Sequence, residues 1–179
     1  MNRQASSVVL ALGALVALLG TSTVAMAQQD DATASASASV TVVAAIGIIT
    51  NTAGLNFGSV AASAGAAGTV DQTAAASSAR TGTGVTLGSA TAVSLAAFMV
   101  TGEGSAAYAI TLSSGPETVT HTNATDEMTI TAFSSFPSGT GLLNAGGAQA
   151  LYVGGTLNVA QSQLAGVYTG TFNVTVAYN

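Results

Sequence analysis

From residue 32 onward, the chain alternates between apolar and polar positions. A period of two is typical of a β-strand that buries one face. The run is longer than the about five or six residues of an ordinary strand, so we expect two parts. We predict an extended arm over residues 28–43 and a buried first strand near residues 44–50. The arm's apolar positions, which could face a partner, are Ala34, Ala36, Ala38, Val40 and Val42.

Short alternating runs continue along the chain, separated by turns that contain Gly, Pro or Asn. Many short strands with frequent glycine turns, and no helical period after residue 27, indicate a β-sandwich or a β-barrel. Residues 61–68 and 139–147 are rich in small residues and are predicted as loops. The predicted strands are residues 55–60, 85–87, 92–100, 108–112, 119–121, 128–133, 151–153, 157–159 and 172–178.

The C-terminal strand has the clearest pattern in the sequence. Its apolar positions share one parity, and polar or small residues occupy the other. An alternating strand of this kind is a surface for backbone pairing. The apolar positions are Phe172, Val174, Val176 and Tyr178.

The N-terminal segment has the three parts of a secretory signal peptide. Arg3 is followed by an apolar run over residues 8–19, and the small residues Ala25 and Ala27 have the spacing of a cleavage site. The run is shorter than the roughly 20 apolar residues of a membrane span, so the mature form is not expected to span a membrane. We therefore predict export, through the periplasm to the cell surface or medium, with residues 1–27 removed.

The remaining 152 residues are sufficient for one domain with its own core, which we assign to residues 44–179. Arg80 is their only Lys or Arg, against seven Asp and Glu. Such a chain cannot neutralise a row of phosphates, so nucleic acid and anionic membranes are poor partners. No Cys is present, and packing and hydrogen bonds must therefore stabilise the fold.

Candidate reactive groups are few. His121 is the only histidine, with Asn123, Asp126 and Glu127 nearby. Zinc sites generally need three or four His, Cys or carboxylate ligands, and the spaced acids of a calcium loop are missing, so a polar turn is the better interpretation. No Gly-x-Ser-x-Gly elbow accompanies a base, and no Lys or Cys could replace one. We expect no enzyme activity and no cofactor.

The two ends of the chain resemble known protein families. The C-terminal strand, with Tyr178 penultimate and Gly166 fourteenth from the end, resembles the end of subunits of the periplasmic chaperone–usher pathway and of spore-coat-U-like secreted proteins. Across its mature length, the chain is similar to the domain-of-unknown-function family numbered 4402. The segments that show this similarity are Leu55-Asn56-Phe57-Gly58, Phe98-Met99-Val100-Thr101-Gly102, Val153-Gly154-Gly155-Thr156-Leu157 and the terminal strand.

The chaperone–usher resemblance implies an immunoglobulin-like sandwich that lacks its last strand. In such subunits, the N-terminal arm of a neighbour fills the groove. Residues 28–43 would be the donor arm, and Gly166 with the terminal strand would form the groove and the chaperone-recognition surface. Partners would be further copies or related subunits, with a periplasmic chaperone and an usher.

Two features differ from that pattern, and other functions stay open. Many such subunits carry a disulfide, which this chain lacks, and Ala side chains in the arm bury little area. A self-contained secreted or surface sandwich with a binding or matrix role is the main alternative. A small outer-membrane β-barrel would fit the alternation, although nine aromatic residues are few for its two girdles.

We expect a bacterial host to export the protein with Gln28 as its first residue. Because signal peptidase needs small residues at the cleavage site, Ala27→Leu should block or displace cleavage, whereas Ala32→Leu should not. Intact mass and N-terminal sequencing of the exported protein measure this directly. An exported wild-type chain that keeps Met1 would contradict the assignment.

Overall fold

The computed structural model describes residues 33–51, 54–77, 79–90 and 92–179. The predicted signal peptide, with Ala25 and Ala27, lies outside the described residues. The chain divides into two units, the first ending at Val40 and the second running from Thr41 to Asn179. In the first unit, residues 33–40 are exposed and have no assigned secondary structure. The fold described below is that of the second unit.

The predicted all-β class is confirmed, since the described part of the chain contains thirteen β-strands and no helix. None of its segments is a helix with the length and apolar content that a membrane span requires. The strands are β1 (Gly47–Thr50), β2 (Val60–Ala62), β3 (Gly68–Gln72), β4 (Thr81–Thr83), β5 (Val85–Leu87), β6 (Ala96–Thr101), β7 (Ala107–Leu112), β8 (Glu117–His121), β9 (Glu127–Phe136), β10 (Thr140–Leu142), β11 (Ala148–Val159), β12 (Tyr168–Thr169) and β13 (Val174–Tyr178).

The strands form one large sheet and two small ones, and all pairs are antiparallel. The large sheet has eight strands in the order β1-β6-β11-β9-β8-β12, with β3 beside β11 and β4 beside β3. One small sheet has the order β10-β7-β13, and the other is the pair β2-β5. The two small sheets supply side chains to the two core clusters of the large sheet, which makes the fold a sandwich. We call this sandwich, from β1 to β13, the β-domain.

Each half of the sandwich has its own core cluster. The first joins the large sheet to β7 and β13, and its centre includes Val100, Tyr108 and Leu151, all fully buried. The second joins β3, β8, β9 and β11 to the β2-β5 pair, with Val70 fully buried at its centre. Phe133 packs against both clusters and so links the two halves.

Strand β11 serves both halves of the sheet. Its first half pairs with β6 and its second half with β3, while β9 runs along its other side. We predicted two strands, residues 151–153 and 157–159, and that prediction is wrong because Gly154, Gly155 and Thr156 continue β11 between them. A side chain at Gly154 would collide with the carbonyl oxygen of Gln72, where β3 leaves the sheet. These glycines therefore allow close backbone approach inside a strand, which glycine alone can provide.

Several other predicted boundaries need correction. Only Asn56, which bridges Ser94, pairs within the predicted strand 55–60 before β2 begins at its last residue. The predicted loop 61–68 contains most of β2 and the start of β3, and the predicted loop 139–147 contains β10. Small residues were a poor guide here because the small residues within these segments, such as Ala61, Gly68 and Gly141, pair through the backbone of a strand.

Arg80 joins three loops instead of presenting a free charge. Its guanidinium donates hydrogen bonds to the carbonyl oxygens of Phe57, Ser59, Gly88 and Ser89. The fixed fork of five N–H donors suits such a set of acceptors, and a lysine could not reproduce it. The one cation after residue 27 thus contributes to the fold.

Because Tyr108 is buried, the stability of the fold should depend on pH in the alkaline range. Burial raises its pKa above 10.0, since the phenolate would lose its hydration, and the neutral hydroxyl donates to Gln149 Oε1 at 2.8 Å. Below pH 10 the tyrosine is neutral in both states, and it contributes no pH dependence. Above that pH the unfolded chain ionises first, so the free energy of unfolding should fall until the folded-state pKa is passed.

We expect Tyr108→Phe to flatten this alkaline fall in stability, even if its stability at neutral pH is lower because the Gln149 bond is lost. Urea unfolding at several values between about pH 8 and pH 11 measures the slope. Tyr152→Phe, the same change at a half-buried position, is the control. An identical slope in wild type and Tyr108→Phe would contradict this assignment.

Candidate functional site

The C-terminal strand is the edge of its sheet. β13 pairs with β7 from Val174↔Leu112 to Tyr178↔Tyr108, and no described strand pairs with its other side. The backbone groups along that side are therefore available to a further strand. Such an open edge can cause aggregation, and it can also bind a partner by strand addition. As the alternation predicted, the apolar side chains of β13 point to the first core cluster, and so does Phe172, which lies just before the strand. These residues are Phe172, Val174, Val176 and Tyr178.

A second edge lies beside the first. β1 pairs only with β6, and it contacts β13 without any backbone ladder between them in the described structure. Ile46 and Ile48 pack against the same core cluster as the C-terminal strand. We refer to these two facing strand edges, β1 and β13, as the open side of the sandwich.

Burial differs between the open side and the centre of the same cluster. Leu151 and Val153 on β11 are fully buried, whereas the inward residues of β1 and β13 are half-buried. Their parity directs them to the core, so their exposure has to come from missing cover along the open side. Part of the apolar surface of this cluster is therefore accessible from one side.

The Tyr178 hydroxyl fixes the point at which the chain enters the β-domain. It donates to the carbonyl oxygen of Ala44 at 2.7 Å and accepts the N–H of Glu103 at 2.6 Å. A carboxylate oxygen of Glu103 accepts the N–H of Ala44 at 3.0 Å. Both backbone groups of Ala44 are thus bound, and we call this arrangement the Ala44 clamp. A side chain at Gly102 would collide with the Tyr178 hydroxyl.

The candidate donor residues lie on the N-terminal side of the clamp and are exposed. Val40 and Val42 are 86% and 88% exposed, values that are unusual for valine. In their own unit, Ala34, Ala36 and Ala38 are exposed as well. The even-numbered parity that faces the core in β1 thus continues toward the N-terminus as solvent-exposed apolar side chains.

Gly166 lies apart from the other four candidate groove residues, in a bend before β12 and beside His121 at the end of β8. Its Cα packs against the imidazole of His121, and a side chain there would collide with Nε2. The same ring packs against Tyr168, with ring centroids 4.9 Å apart. A local packing requirement thus accounts for the glycine, which the sequence pattern grouped with the terminal strand.

The cluster around His121 is a polar turn, in agreement with the interpretation from sequence. His121 Nδ1 accepts the N–H of Asn123 at 3.0 Å. The Asn123 side chain accepts the N–H groups of Thr125 and Asp126 and donates to the Asp126 carboxylate at 2.7 Å. These groups are engaged in closing the turn between β8 and β9. Among the described residues, no group of three or more His, Cys, Asp or Glu side chains could hold a metal ion.

The comparisons with known proteins place the chain in a family. A model described as "Domain of unknown function (DUF4402)" matches residues 48–178, and the chain belongs to this family. The match begins at the second residue of β1 and ends at the last residue of β13. No curated protein and no solved structure matches the chain.

The structure also contains a feature of the candidate site that the sequence pattern did not reveal. The Ala44 clamp depends on a backbone amide and carbonyl meeting Glu103 and Tyr178, more than fifty residues away in each case. No local periodicity carries that information. The only available signal was Gly102 in the motif Phe98-Met99-Val100-Thr101-Gly102, because an unexplained glycine after a strand often marks a close approach.

We expect Gly166→Ala to destabilise the fold by about 1–3 kcal/mol, because the new methyl group must displace the His121 ring. In the background of His121→Ala this cost should shrink, leaving only the part due to the backbone φ of 156°. Urea unfolding of the four proteins in a double-mutant cycle measures the coupling.

Gly115→Ala is the matched control, since a side chain at Gly115 would meet nothing within 4 Å. Additive effects of Gly166→Ala and His121→Ala would rule out the packing explanation.

Proposed function

We propose that this protein is a non-enzymatic, exported structural subunit of a pilus-like or fimbria-like surface fibre, which assembles by strand addition. The observation that carries the proposal is the open side: two strand edges without a ladder between them, above a core whose apolar side chains are half-buried. In this proposal the fold is an immunoglobulin-like sandwich that lacks one strand.

The arm supplies the matching chemistry. A strand added along β13 would satisfy its free backbone groups and place alternate side chains over the first core cluster. Val40 and Val42 are the bulky members of the arm's apolar parity, and each would contribute roughly 1.5–3 kcal/mol if fully buried. The alanines would contribute much less, so we expect the added strand to depend on these two valines and on the backbone ladder.

The Ala44 clamp supports this division of the chain. It ties the chain to the β-domain at one residue, immediately after the arm, and leaves Thr41 to Val43 exposed. An arm anchored at its base and exposed beyond it could reach a second copy or a related subunit.

The open side also underlies our proposals for a chaperone, an usher and a location at the cell surface. An unpaired edge is an aggregation hazard until it is covered. We propose that a periplasmic chaperone covers β13 in transit and that an usher exchanges it for an arm at the cell surface. A role in cell adhesion would follow from assembly into a surface fibre.

The second candidate is a self-contained secreted or surface sandwich with a binding or matrix role. The observation that favours it is the complete burial of Val70, Val100 and Leu151 within a single chain. Both cores are formed without a partner, and the domain could therefore be stable alone with its arm free.

We expect the mature chain to form a ladder on unboiled SDS gels that collapses on boiling. Deleting residues 28–43 should abolish the ladder, and a synthetic peptide of those residues should bind the truncated chain, as seen by fluorescence anisotropy. In that peptide, Val40→Thr with Val42→Thr should weaken binding by about tenfold or more, because both side chains keep their shape but lose apolar character.

The matched control peptide carries Thr33→Ser and Thr41→Ser, two changes on the other parity, and should bind like the wild-type peptide. A monomeric mature chain, together with a truncated chain that ignores the peptide, would refute strand addition and favour the self-contained domain.

A further inference from the structure

A cavity of about 430 Å³ opens at one end of the large sheet, away from the open side of the sandwich. It lies where β3 and β9 begin and β11 ends, and Gln163 completes its wall. The size is within the range of about 300–1,000 Å³ that is usual for small-molecule sites. Half of its lining residues are polar: Thr69, Glu127, Thr129, Asn158 and Gln163.

Some of these polar groups hold one another in place. The Asn158 amide donates to the Thr129 and Thr131 hydroxyl oxygens, at 3.3 and 3.0 Å. The Gln163 amide donates to the Tyr168 hydroxyl at 2.8 Å and to the Glu127 carbonyl oxygen at 3.3 Å. The lining is therefore preorganised, which lowers the entropy lost when a ligand binds.

Other polar atoms of the cavity have no partner in the described structure. They are the Glu127 carboxylate, the Asn158 side-chain oxygen and the Thr69 hydroxyl. The first two accept hydrogen bonds, while a hydroxyl can donate or accept. A ligand rich in hydroxyl groups could supply donors to the acceptors and an acceptor to the threonine.

The charge and polarity of the lining disfavour anions, divalent cations and apolar ligands. Arg80 is bound to four carbonyl oxygens elsewhere, and no cation lines the cavity, so phosphates and other anions would meet only Glu127. A single carboxylate is too few for a divalent cation, which needs several oxygen ligands. An apolar ligand would leave the unpaired polar atoms of the lining dehydrated.

The cavity continues into a regular row of polar side chains on the large sheet. Five neighbouring strands carry a polar residue at the same register, about 4.8 Å apart from strand to strand. The row is Thr83, Thr69, Asn158, Thr129 and Thr118, one each from β4, β3, β11, β9 and β8. Three of its members line the cavity, and Thr83 and Thr118 extend it to either side.

From this combination of a polar cavity, unpaired acceptors and a hydroxyl row, we propose that the β3–β9–β11 cavity is a binding site for a neutral sugar residue, as found in an uncharged polysaccharide. The sugar hydroxyls donate to Glu127 and Asn158 and accept from Thr69. The threonine row contacts the next residues of the polymer. This site is independent of the open side and of fibre assembly.

The test is a titration of the ¹⁵N-labelled mature chain with the methyl glycosides of glucose, galactose, mannose and N-acetylglucosamine. Methyl phosphate is the charged probe. We expect at least one neutral glycoside to shift the amide signals of residues 67–69, 127–129 and 158–160, and methyl phosphate to shift none of them. Glu127→Ala should then weaken binding about tenfold or more, as for loss of a hydrogen bond to a charged group.

Two matched controls separate the site from general effects on the sheet. Glu117→Ala removes a carboxylate from the neighbouring strand β8, outside the cavity, and should leave the affinity unchanged. Thr69→Val should weaken binding, whereas Thr83→Val, its cross-strand partner, should not. Absence of shifts with every neutral glycoside, shifts confined to other residues, or equal binding by Glu127→Ala would overturn the proposal.

Discussion

The structure depends on the pairing of one long central strand with three others. β11 has β9 along one side and both β6 and β3 along the other, so every other strand of the large sheet is reached through it. Its inward residues Leu151 and Val153 belong to the first core cluster, and Leu157 and Val159 belong to the second. A chain without Cys has no covalent link to replace this strand, so loss of its pairing would separate the two halves of the sandwich.

The glycines of β11 show how a family motif can reflect packing. Gly154 admits the Gln72 carbonyl, and Gly155 lies against Ile130 and Phe133 at the point where the register with β9 shifts. The β9 residue Ala132 has a positive φ at this bulge. Together these residues allow β11 to pair with β6 along its first half and with β3 along its second half. The Val153-Gly154-Gly155-Thr156-Leu157 motif is thus a requirement of the sheet.

Sequence reasoning succeeded where a side chain's environment repeats along a strand. The alternation at Phe172–Tyr178 correctly gave the last strand and its inward face, and residues 85–87 match β5. It failed where backbone pairing alone defines a strand: β3 and β4 were not predicted, and β10 lay in a predicted loop. Gly68 lay in a predicted loop, yet a side chain there would collide with the carbonyl oxygen of Thr83 on β4, and a side chain at Gly82 would collide with Leu87 of β5. Likewise, the candidate cavity is assembled from three distant strands, and no local pattern indicates it.

The position of Arg80 affects how the folded protein resists proteases that cleave after Lys or Arg. Proteases that cleave after Lys or Arg have one candidate bond in the whole chain after residue 27. The side chain that such an enzyme must seat in its specificity pocket is held by four backbone carbonyls of the folded domain. Cleavage after Arg80 therefore requires that its side chain first leave these carbonyl oxygens, so hydrogen bonds of the fold protect this bond without a disulfide.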